Sequence, residues 1–239
     1  MSTTVLRLAG PLAAWPGPAK YRSRLSSPIP TYSMVAGLLG ALLGVPREAP
    51  LPETVQPDNV GIRIERPGRV LRDFHTVNPY PDGPFRWLNP KDRVAAQARV
   101  VKASGNRHLT PVVTERFYRE DSELLVFVAD EDGAIARAAK APQWAVYAGR
   151  KSCTVSFPFF LGTVPTLVPE TTLTFPSTAP EGKLTAVLFE KPAEGALEAI
   201  PLAQHKVAGQ FVTRSSFTVH TDPVRYQNWL TYLEERRVA

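Results

Sequence analysis

Apolar and polar residues in the first part of the chain follow the periods of a strand and then of a helix. Residues 3–9 combine β-formers with apolar side chains and end at a Gly-Pro pair, which predicts a strand. Residues 11–30 are rich in proline and indicate a loop. Residues 31–43 carry the clearest helical pattern, and Thr31 or Ser33 can cap the free N–H groups of its first turn.

Three glycines lie three and four residues apart along this helix. Gly37 and Gly40 fall within it, and Gly44 marks its end, followed closely by a proline. Each glycine inside a helix costs roughly 1 kcal/mol relative to alanine, so the spacing predicts tight packing of this face against a sheet, with close approach of another backbone as the alternative.

The following segments predict seven more core elements. Residues 59–65 alternate like a half-buried strand, and residues 70–77 are expected to return as its hairpin partner after a Pro-Gly turn. Residues 112–118 and 123–129 indicate further strands, and residues 130–141 a short helix with acidic residues at its start. Two additional short strands are predicted at 144–147 and 154–157. The order matches the βαββαβ pattern of ferredoxin-like and RNA-recognition-motif domains, so an α+β fold is expected.

Two regions depart from this core pattern. Residues 78–110 form a long, partly proline-rich excursion between core elements, and excursions of that length are usually functional or disordered. Beyond residue 160 the chain changes to short β-segments, at 164–175, 183–189 and 210–220, and ends in a predicted amphipathic helix at 222–237. The predicted domains are therefore 1–160 and a small β-rich C-terminal part at 161–239.

Composition narrows the possible functions. Lys and Arg number 28 against 22 Asp and Glu, which gives a net charge of +6 and favours a polyanionic partner. Cys153 is the only cysteine, and the four histidines lack metal-ligand spacing, so neither a disulfide, a metal nor a cofactor is expected. The longest apolar run, 34–45, is too short to span a bilayer, and no secretory signal is visible, which indicates a cytoplasmic protein without a membrane partner.

Three basic stretches contain the candidate RNA-binding residues. The first precedes the predicted helix and includes its first turn, and the second interleaves cations with aromatics. The third surrounds Gly149, which lets the protein backbone approach a ligand closely. Each stretch also has an interpretation without RNA. The first would be a solvated loop, the second a half-buried strand, and the third a turn between strands. The candidates are Lys20, Arg22, Arg24, Tyr32, Ser33, Arg107, His108, Arg116, Tyr118, Arg150, Lys151 and Ser152.

A catalytic function has weaker support in the residues. A metal-independent ribonuclease needs a general base and a general acid around a 2′-hydroxyl, which His108, Tyr118 and Lys151 could supply. The chain lacks the GxSxG, GxxxxGK[ST] and GxGxxG motifs of other enzyme classes.

Three segments of the chain carry distinctive motifs. Residues 5–15 (VLRLAGPLAAW) join a strand to a Gly-Pro-x-x-x-Trp loop, residues 30–44 (PTYSMVAGLLGALLG) carry the glycine-bearing helix, and residues 148–153 (AGRKSC) contain a Gly-Arg-Lys turn. Together they resemble the opening strand and loop, the first helix and the Gly-Arg-Lys turn of the CRISPR-associated protein 5 family, also called CasD, of the Cascade surveillance complex.

The resemblance implies a ferredoxin-like (RAMP) domain with an inserted β-hairpin thumb, at 78–110, and a small β-rich C-terminal part. It implies a subunit of a type I Cascade complex that grips the 5′ handle of the CRISPR RNA. It also implies contacts with the backbone subunit and with the large subunit, close to target DNA. Carried over by position, the handle or guide contacts are Arg22, Arg24, Ser33, Arg107, Arg150 and Lys151.

The resemblance leaves the subtype open. In one subtype the equivalent protein itself cleaves the precursor RNA, whereas in others a separate endoribonuclease does so. A non-catalytic RNA-binding subunit is therefore expected, with a metal-independent endoribonuclease and a general RNA-binding domain as the alternatives.

Overall fold

A computed structural model describes residues 2–20, 22–77, 112–168, 171, 175, 177, 183–190 and 213–220. Within these residues the strands are β1 Thr3–Ala13, β2 Pro16–Lys20, β3 Ser23–Ser26, β4 Val60–Arg66, β5 Arg69–Val77, β6 Val112–Ala129, β7 Phe160–Val164, β8 Lys183–Glu190 and β9 Thr213–His220. The α-helices are α1 Tyr32–Leu43 and α2 Ala134–Lys140, and two short 3₁₀ helices are Glu53–Val55 and Pro57–Asn59.

The described strands form a mostly antiparallel sheet around β6. β1 pairs with β6 from Thr3 opposite Ala129 to Ala13 opposite Arg119. The main path of neighbours runs β7-β1-β6-β4-β8-β9, and every pair along it is antiparallel. With two helices beside such a sheet, the predicted α+β class is confirmed.

Both faces of the central sheet are covered, because alternate residues of β6 enter two separate cores. The helix-bearing face buries Leu124, Val126 and Val128 with Val35, Leu39 and Leu42 of α1 and Ile135 of α2. The opposite face buries Val5, Leu125 and Phe127 with Leu161, Val168 and Phe175.

Helix α1 begins and ends as its sequence predicts. Thr31 is the N-cap residue, although its side chain makes no capping hydrogen bond, and Gly44 ends the helix in the left-handed conformation at φ 70°. The expectation of tight packing is wrong at Gly37, because a Cβ atom built there meets nothing within 4 Å. Helix α2 is shorter than predicted, and the buried Asp130 carboxylate accepts hydrogen bonds from the Ile135 and Ala136 amides at its start.

Strands β4, β5 and β6 differ most from the prediction. The segments 112–118 and 123–129 form one strand, β6, because β1 pairs with it through the polar residues between them. β4 and β5 are not a hairpin: both pair antiparallel with the same edge of β6, one after the other. Gly68 lies at φ 68°, and a Cβ there would stand 2.6 Å from the Glu120 carbonyl oxygen, so Pro67-Gly68 is a kink pressed against β6.

Four other local predictions are wrong within the described residues. The loop predicted at 11–30 contains the strands β2 and β3, which pair with each other antiparallel. Proline content indicated a loop, but it does not prevent backbone pairing between the other residues. Residues 144–147 and 154–157 share only one bridge, between Tyr147 and Thr154. In the segment predicted as a strand at 164–175, the Thr171 amide donates to the Leu167 carbonyl and the Phe175 amide to the Thr171 carbonyl, which is the four-residue spacing of a helical turn.

The C-terminal β-segments join the same sheet. β8 and β9 confirm the strands predicted at 183–189 and 210–220, and β8 pairs with β4. The domain boundary at 160 stays a prediction. The predicted thumb at 78–110 and the helix at 222–237 lie outside the described residues. In the described part of the chain, no helix is long and apolar enough to cross a membrane. In the same part, no group of three or more His, Cys, Asp or Glu residues could hold a metal ion.

Candidate nucleic-acid interface

Strand β3 brings the first basic stretch beside the second. It pairs parallel with β6, so that Arg24 lies opposite Arg116, and the Glu115 amide donates to the Arg22 carbonyl oxygen at 2.7 Å. Arg22 and Arg24 are exposed, and Arg116 is half-buried. Two basic stretches more than ninety residues apart therefore meet at the N-terminal half of β6.

The third basic stretch forms a tight turn, residues 148–153, which we call the Arg150 turn. Its backbone closes with hydrogen bonds from the Cys153 amide to the Arg150 carbonyl and from the Ala148 amide to the Cys153 carbonyl, both 2.8 Å. The Ala14 amide donates to the Ala148 carbonyl at 2.9 Å and ties the turn to the end of β1.

Gly149 permits a close approach, but the approaching backbone belongs to this chain. A Cβ atom at Gly149 would stand 2.0 Å from the Ala14 carbonyl oxygen, and its φ of 96° is one that side chains rarely adopt. The space that a side chain would fill at position 149 is therefore occupied by Ala14, and the expected close approach of the Gly149 backbone to a ligand stays a prediction.

Arg150 connects the three stretches. Its guanidinium carbon lies 4.6 Å from the centre of the Tyr118 ring, a cation–π contact, and its Nη2 donates to the Arg24 carbonyl oxygen at 3.4 Å. Tyr118 and Arg116 are two residues apart on β6 and share the helix-bearing face, with Tyr118 in the core beside α1. We define the basic surface as Arg22, Arg24, Arg116, Arg150 and Lys151.

Charge on this surface is not cancelled within the described residues. No ion pair there involves the five cations of the basic surface. The nearby Glu115 carboxylate instead takes hydrogen bonds from Arg72 and Ser23, and the bond from Arg72 is the main cause that lowers the pKa of Glu115. Asp73 lies across from Arg116 on β5, exposed and without an ion pair to it.

The remaining candidates have different positions. Lys151 and Ser152 are exposed on the Arg150 turn, and Ser33 is exposed in the first turn of α1. Lys20 ends β2, but its side chain is outside the described residues, as are Arg107 and His108.

Tyr118 and Tyr32 are the two candidates that the structure buries. Tyr118 is 8% exposed, and the Arg150 guanidinium lies over its ring, so the ring is not accessible for stacking with an RNA base. Tyr32 is 4% exposed, and its hydroxyl donates to the Val55 carbonyl beside the Phe189 ring. Burial, with a smaller contribution from Asp58, raises the pKa of Tyr32 far above its usual range. Tyr32 is thus a core residue and is withdrawn as an RNA contact.

Sequence reasoning missed Trp15. Its side chain is 1% exposed, its amide donates to Ser26 Oγ at 3.0 Å, and its carbonyl accepts from the Ser27 amide. Trp15 thereby fastens the end of β1 to the end of β3, next to the Arg150 turn. The only signal in the sequence was the Gly-Pro-x-x-x-Trp spacing.

Comparison with known proteins places the chain among CRISPR-associated proteins. The family model described as CRISPR-associated protein (Cas_Cas5) matches residues 3–200. The CRISPR system Cascade subunit CasD of Escherichia coli (strain K12) is 29% identical over 182 residues, which cover 68% of this chain and 71% of that protein.

Two solved structures share the fold. One, described as a CRISPR RNA-guided surveillance complex, has a chain that matches with a TM-score of 0.65 at 24% identity, covering 97% of this chain and 99% of that one. Another, described as a Cas protein, matches with a TM-score of 0.60 at 24% identity, covering 93% of this chain and 100% of that one.

Proposed function

Because the chain belongs to the Cas_Cas5 family of CRISPR-associated proteins, we propose that it is a non-catalytic, RNA-binding subunit of a type I Cascade surveillance complex. In this role it grips the 5′ handle of the guide RNA. It also caps the backbone of the complex beside the large subunit, close to the target DNA. One observation carries the RNA-binding assignment: Arg150 stacks on Tyr118 and bonds to Arg24, which joins three basic stretches on one surface.

The chain order supports a finer assignment of the fold. β1, α1, β4, β6, α2 and β7 follow one another, and their strands pair in the order β7-β1-β6-β4, which is the arrangement expected of a ferredoxin-like core. β5 and the first half of β6 form a ladder from Arg69–Glu120 to Val77–Val112, and this ladder flanks residues 78–111. That position supports a thumb at 78–110.

The chemistry of the basic surface suits single-stranded RNA. Arg and Lys neutralise phosphates and release counterions, and guanidinium planes also stack with unpaired bases. The proposed contacts on described side chains are Arg22, Arg24, Ser33, Arg116, Arg150, Lys151 and Ser152. Lys20, Arg107 and His108 remain proposed contacts by their position in the sequence.

The double substitution Arg22→Ala/Arg24→Ala tests this proposal. We expect it to weaken binding of the repeat-derived handle RNA by about tenfold, because two exposed cations that meet phosphates are removed. The slope of log affinity against log salt should fall by about 0.7 for each phosphate that the variant no longer neutralises. Fluorescence anisotropy over a range of salt concentrations measures both quantities.

A matched control removes the same charge elsewhere. Arg47 lies just after helix α1 and Lys140 is the last residue of helix α2. Both are exposed, and neither belongs to the basic surface. Arg47→Ala/Lys140→Ala should keep handle affinity within about twofold, since nonspecific attraction alone changes little with two charges. Equal losses of affinity in both double variants would contradict a defined handle site.

The endoribonuclease alternative predicts a different result. Tyr118 is 8% exposed and covered by Arg150, which makes it a poor general acid or base for an RNA 2′-hydroxyl. We therefore expect no cleavage of labelled repeat RNA in EDTA. Specific cleavage that is lost in His108→Ala would make the chain a processing nuclease instead.

A further inference from the structure

Strands β3, β5 and the N-terminal half of β6 carry cations of the basic surface on one side and apolar residues on the other. On the second side, Ser23 Oγ donates to the Glu115 carboxylate at 3.2 Å. Arg72 bonds the same carboxylate and stacks on the Phe74 ring. Side chains alternate along a strand, so every second residue of these strands shares this side. The apolar face is defined as Leu25, Val70, Phe74 and Val113, each between 44% and 59% exposed, with the half-buried Phe117.

The apolar face is a cluster and not a set of scattered side chains. Of the eight large apolar residues that are exposed in the described part of the chain, five lie on β3, β5 and the first half of β6. Contiguous exposed apolar areas on a soluble protein mark contacts with other molecules. The outer edge of β5 is also open, because no described strand pairs with it. An uncovered apolar edge strand promotes aggregation, so a partner that covers this region is expected.

Charges beside the apolar face are almost all cancelled within the chain. The ion pairs on this side are Arg72–Glu115, Arg66–Asp121, Arg66–Glu123 and Arg7–Glu123. Arg119 lies opposite Val70 on the neighbouring strand and joins no ion pair within the described residues. The apolar face is therefore bordered by one uncancelled positive charge.

This charge and the apolar side chains together define the chemistry of the partner. RNA would meet a single uncancelled cation here, whereas the basic surface offers five that join no ion pair among the described residues. A second copy of this face would bring only carboxylates that are already bonded to arginines. A different protein that offers apolar side chains and a free carboxylate complements both features.

We propose that the apolar face is the docking surface for a neighbouring protein subunit of the ribonucleoprotein. The partner packs apolar side chains against Val70 and Phe74 and places a carboxylate near Arg119. This inference rests on the proposed function, because it requires a complex in which several proteins share one guide RNA. It adds that the same three strands bind RNA on one side and protein on the other.

The double substitution Val70→Ser/Phe74→Ser tests the docking surface. The probe is the purified assembly of the guide RNA and the remaining protein subunits of the complex, prepared without this chain. We expect affinity for this assembly to fall about tenfold or more, because two apolar contacts at the centre of the interface are lost. Both side chains are already exposed in the free chain, so its folding and its handle RNA affinity should change little. Biolayer interferometry, fluorescence anisotropy and thermal unfolding measure the three quantities.

A matched control and a charge variant accompany this test. Trp144 is 50% exposed and lies outside the apolar face, with its amide bonded to the Ala41 carbonyl. Trp144→Ser should keep affinity for the assembly within about twofold. Arg119→Gln should lower that affinity and also reduce its salt dependence, because an ion pair with the partner is removed. Equal losses of affinity in Trp144→Ser and Val70→Ser/Phe74→Ser would contradict a defined docking surface.

A photo-crosslinker on the apolar face identifies its occupant. Phe74→p-benzoylphenylalanine is introduced into the full-length chain, and the assembled complex is irradiated. A crosslink to another protein subunit supports the proposal, whereas one to the guide RNA, to a second copy of this chain or to the chain itself overturns it.

The outcomes separate the docking surface from the proposed function. A wild-type chain that binds neither handle RNA nor the assembly would overturn both. Wild-type binding of RNA and assembly, with the same assembly affinity in Val70→Ser/Phe74→Ser, would overturn the docking surface alone. Weakened assembly binding with unchanged handle RNA affinity, together with a crosslink to another subunit, would establish it.

Discussion

Gly149→Ala is expected to destabilise the fold by about 3 kcal/mol or more and to weaken handle RNA binding at the same time. The new Cβ would stand 2.0 Å from the Ala14 carbonyl oxygen and 2.8 Å from its carbon, both backbone atoms that cannot rotate away. The φ of 96° adds strain for any side chain. Relief would require breaking the Ala14–Ala148 hydrogen bond and moving Arg150 off Tyr118. Urea unfolding and RNA titration measure the two effects.

Gly37→Ala is the matched control for this substitution. Gly37 lies inside α1, and a Cβ there meets no atom within 4 Å, so alanine should stabilise the helix by up to about 1 kcal/mol. The same chemical change is thus expected to have opposite signs at two positions. If Gly149→Ala unfolds at the wild-type urea concentration, the close approach of Ala14 to the Arg150 turn is wrong.

Glu65→Ala is expected to cost about 3–5 kcal/mol, because it removes the carboxylate that forms an ion pair with a buried arginine. Arg63 and Glu65 are fully buried along their side chains, and Arg63 Nε lies 2.6 Å from Glu65 Oε1. Arg63 Nη1 also donates to the Phe175 carbonyl at 2.6 Å, and Ser177 donates to Glu65. This network fastens residues 175 and 177 to β4, so unfolding of the single variant should occur at a much lower urea concentration.

Replacing both charges together should be far milder. Arg63→Met/Glu65→Leu removes both members of the ion pair, and we expect a destabilisation at least about 2 kcal/mol smaller than in Glu65→Ala. The Phe175 carbonyl and the Ser177 hydroxyl each lose the hydrogen bond to this pair, so some destabilisation should persist. A double variant as unstable as the single one would show that packing around Arg63, including its contact with the Phe127 ring, matters more than the charge pair.

Gly149→Ala and Glu65→Ala change different parts of the molecule. The first is expected to lower both stability and RNA affinity, and the second is expected to lower stability alone. Gly149 lies where the Arg150 turn contacts the end of β1, whereas Glu65 of the buried ion pair is bonded to Ser177. Loss of the ion pair should therefore lower stability while leaving handle affinity of the folded protein unchanged. Binding measured well below the unfolding transition checks this separation.

Local sequence was sufficient where an element is defined by its own residues. Helix α1 runs between Thr31 and Gly44 because an apolar run stands between a capping position and a left-handed glycine. Strand β8 likewise follows its apolar run. The β4 segment was recognised as a strand, but its alternation predicted an exposed polar face. In the folded chain Arg63 and Glu65 are buried, and they bond to Phe175 and Ser177, which are more than a hundred residues away in sequence.

The candidate site divides in the same way. Composition and residue type identified the cations, since charge and donor chemistry are properties of each residue alone. Periodicity reports which residues share a face but not which strand pairs with which, so it could not show β3 beside β6, or β5 continuing along β6 after a kink at Gly68. Tyr32 entered the core and Tyr118 became the support of Arg150 because long-range pairing decided what covers each ring. The sequence by itself determined the family, the fold class and the cations; tertiary structure alone decided that Arg24, Arg116 and Arg150 meet, because contacts between distant segments depend on the packing of the whole sheet.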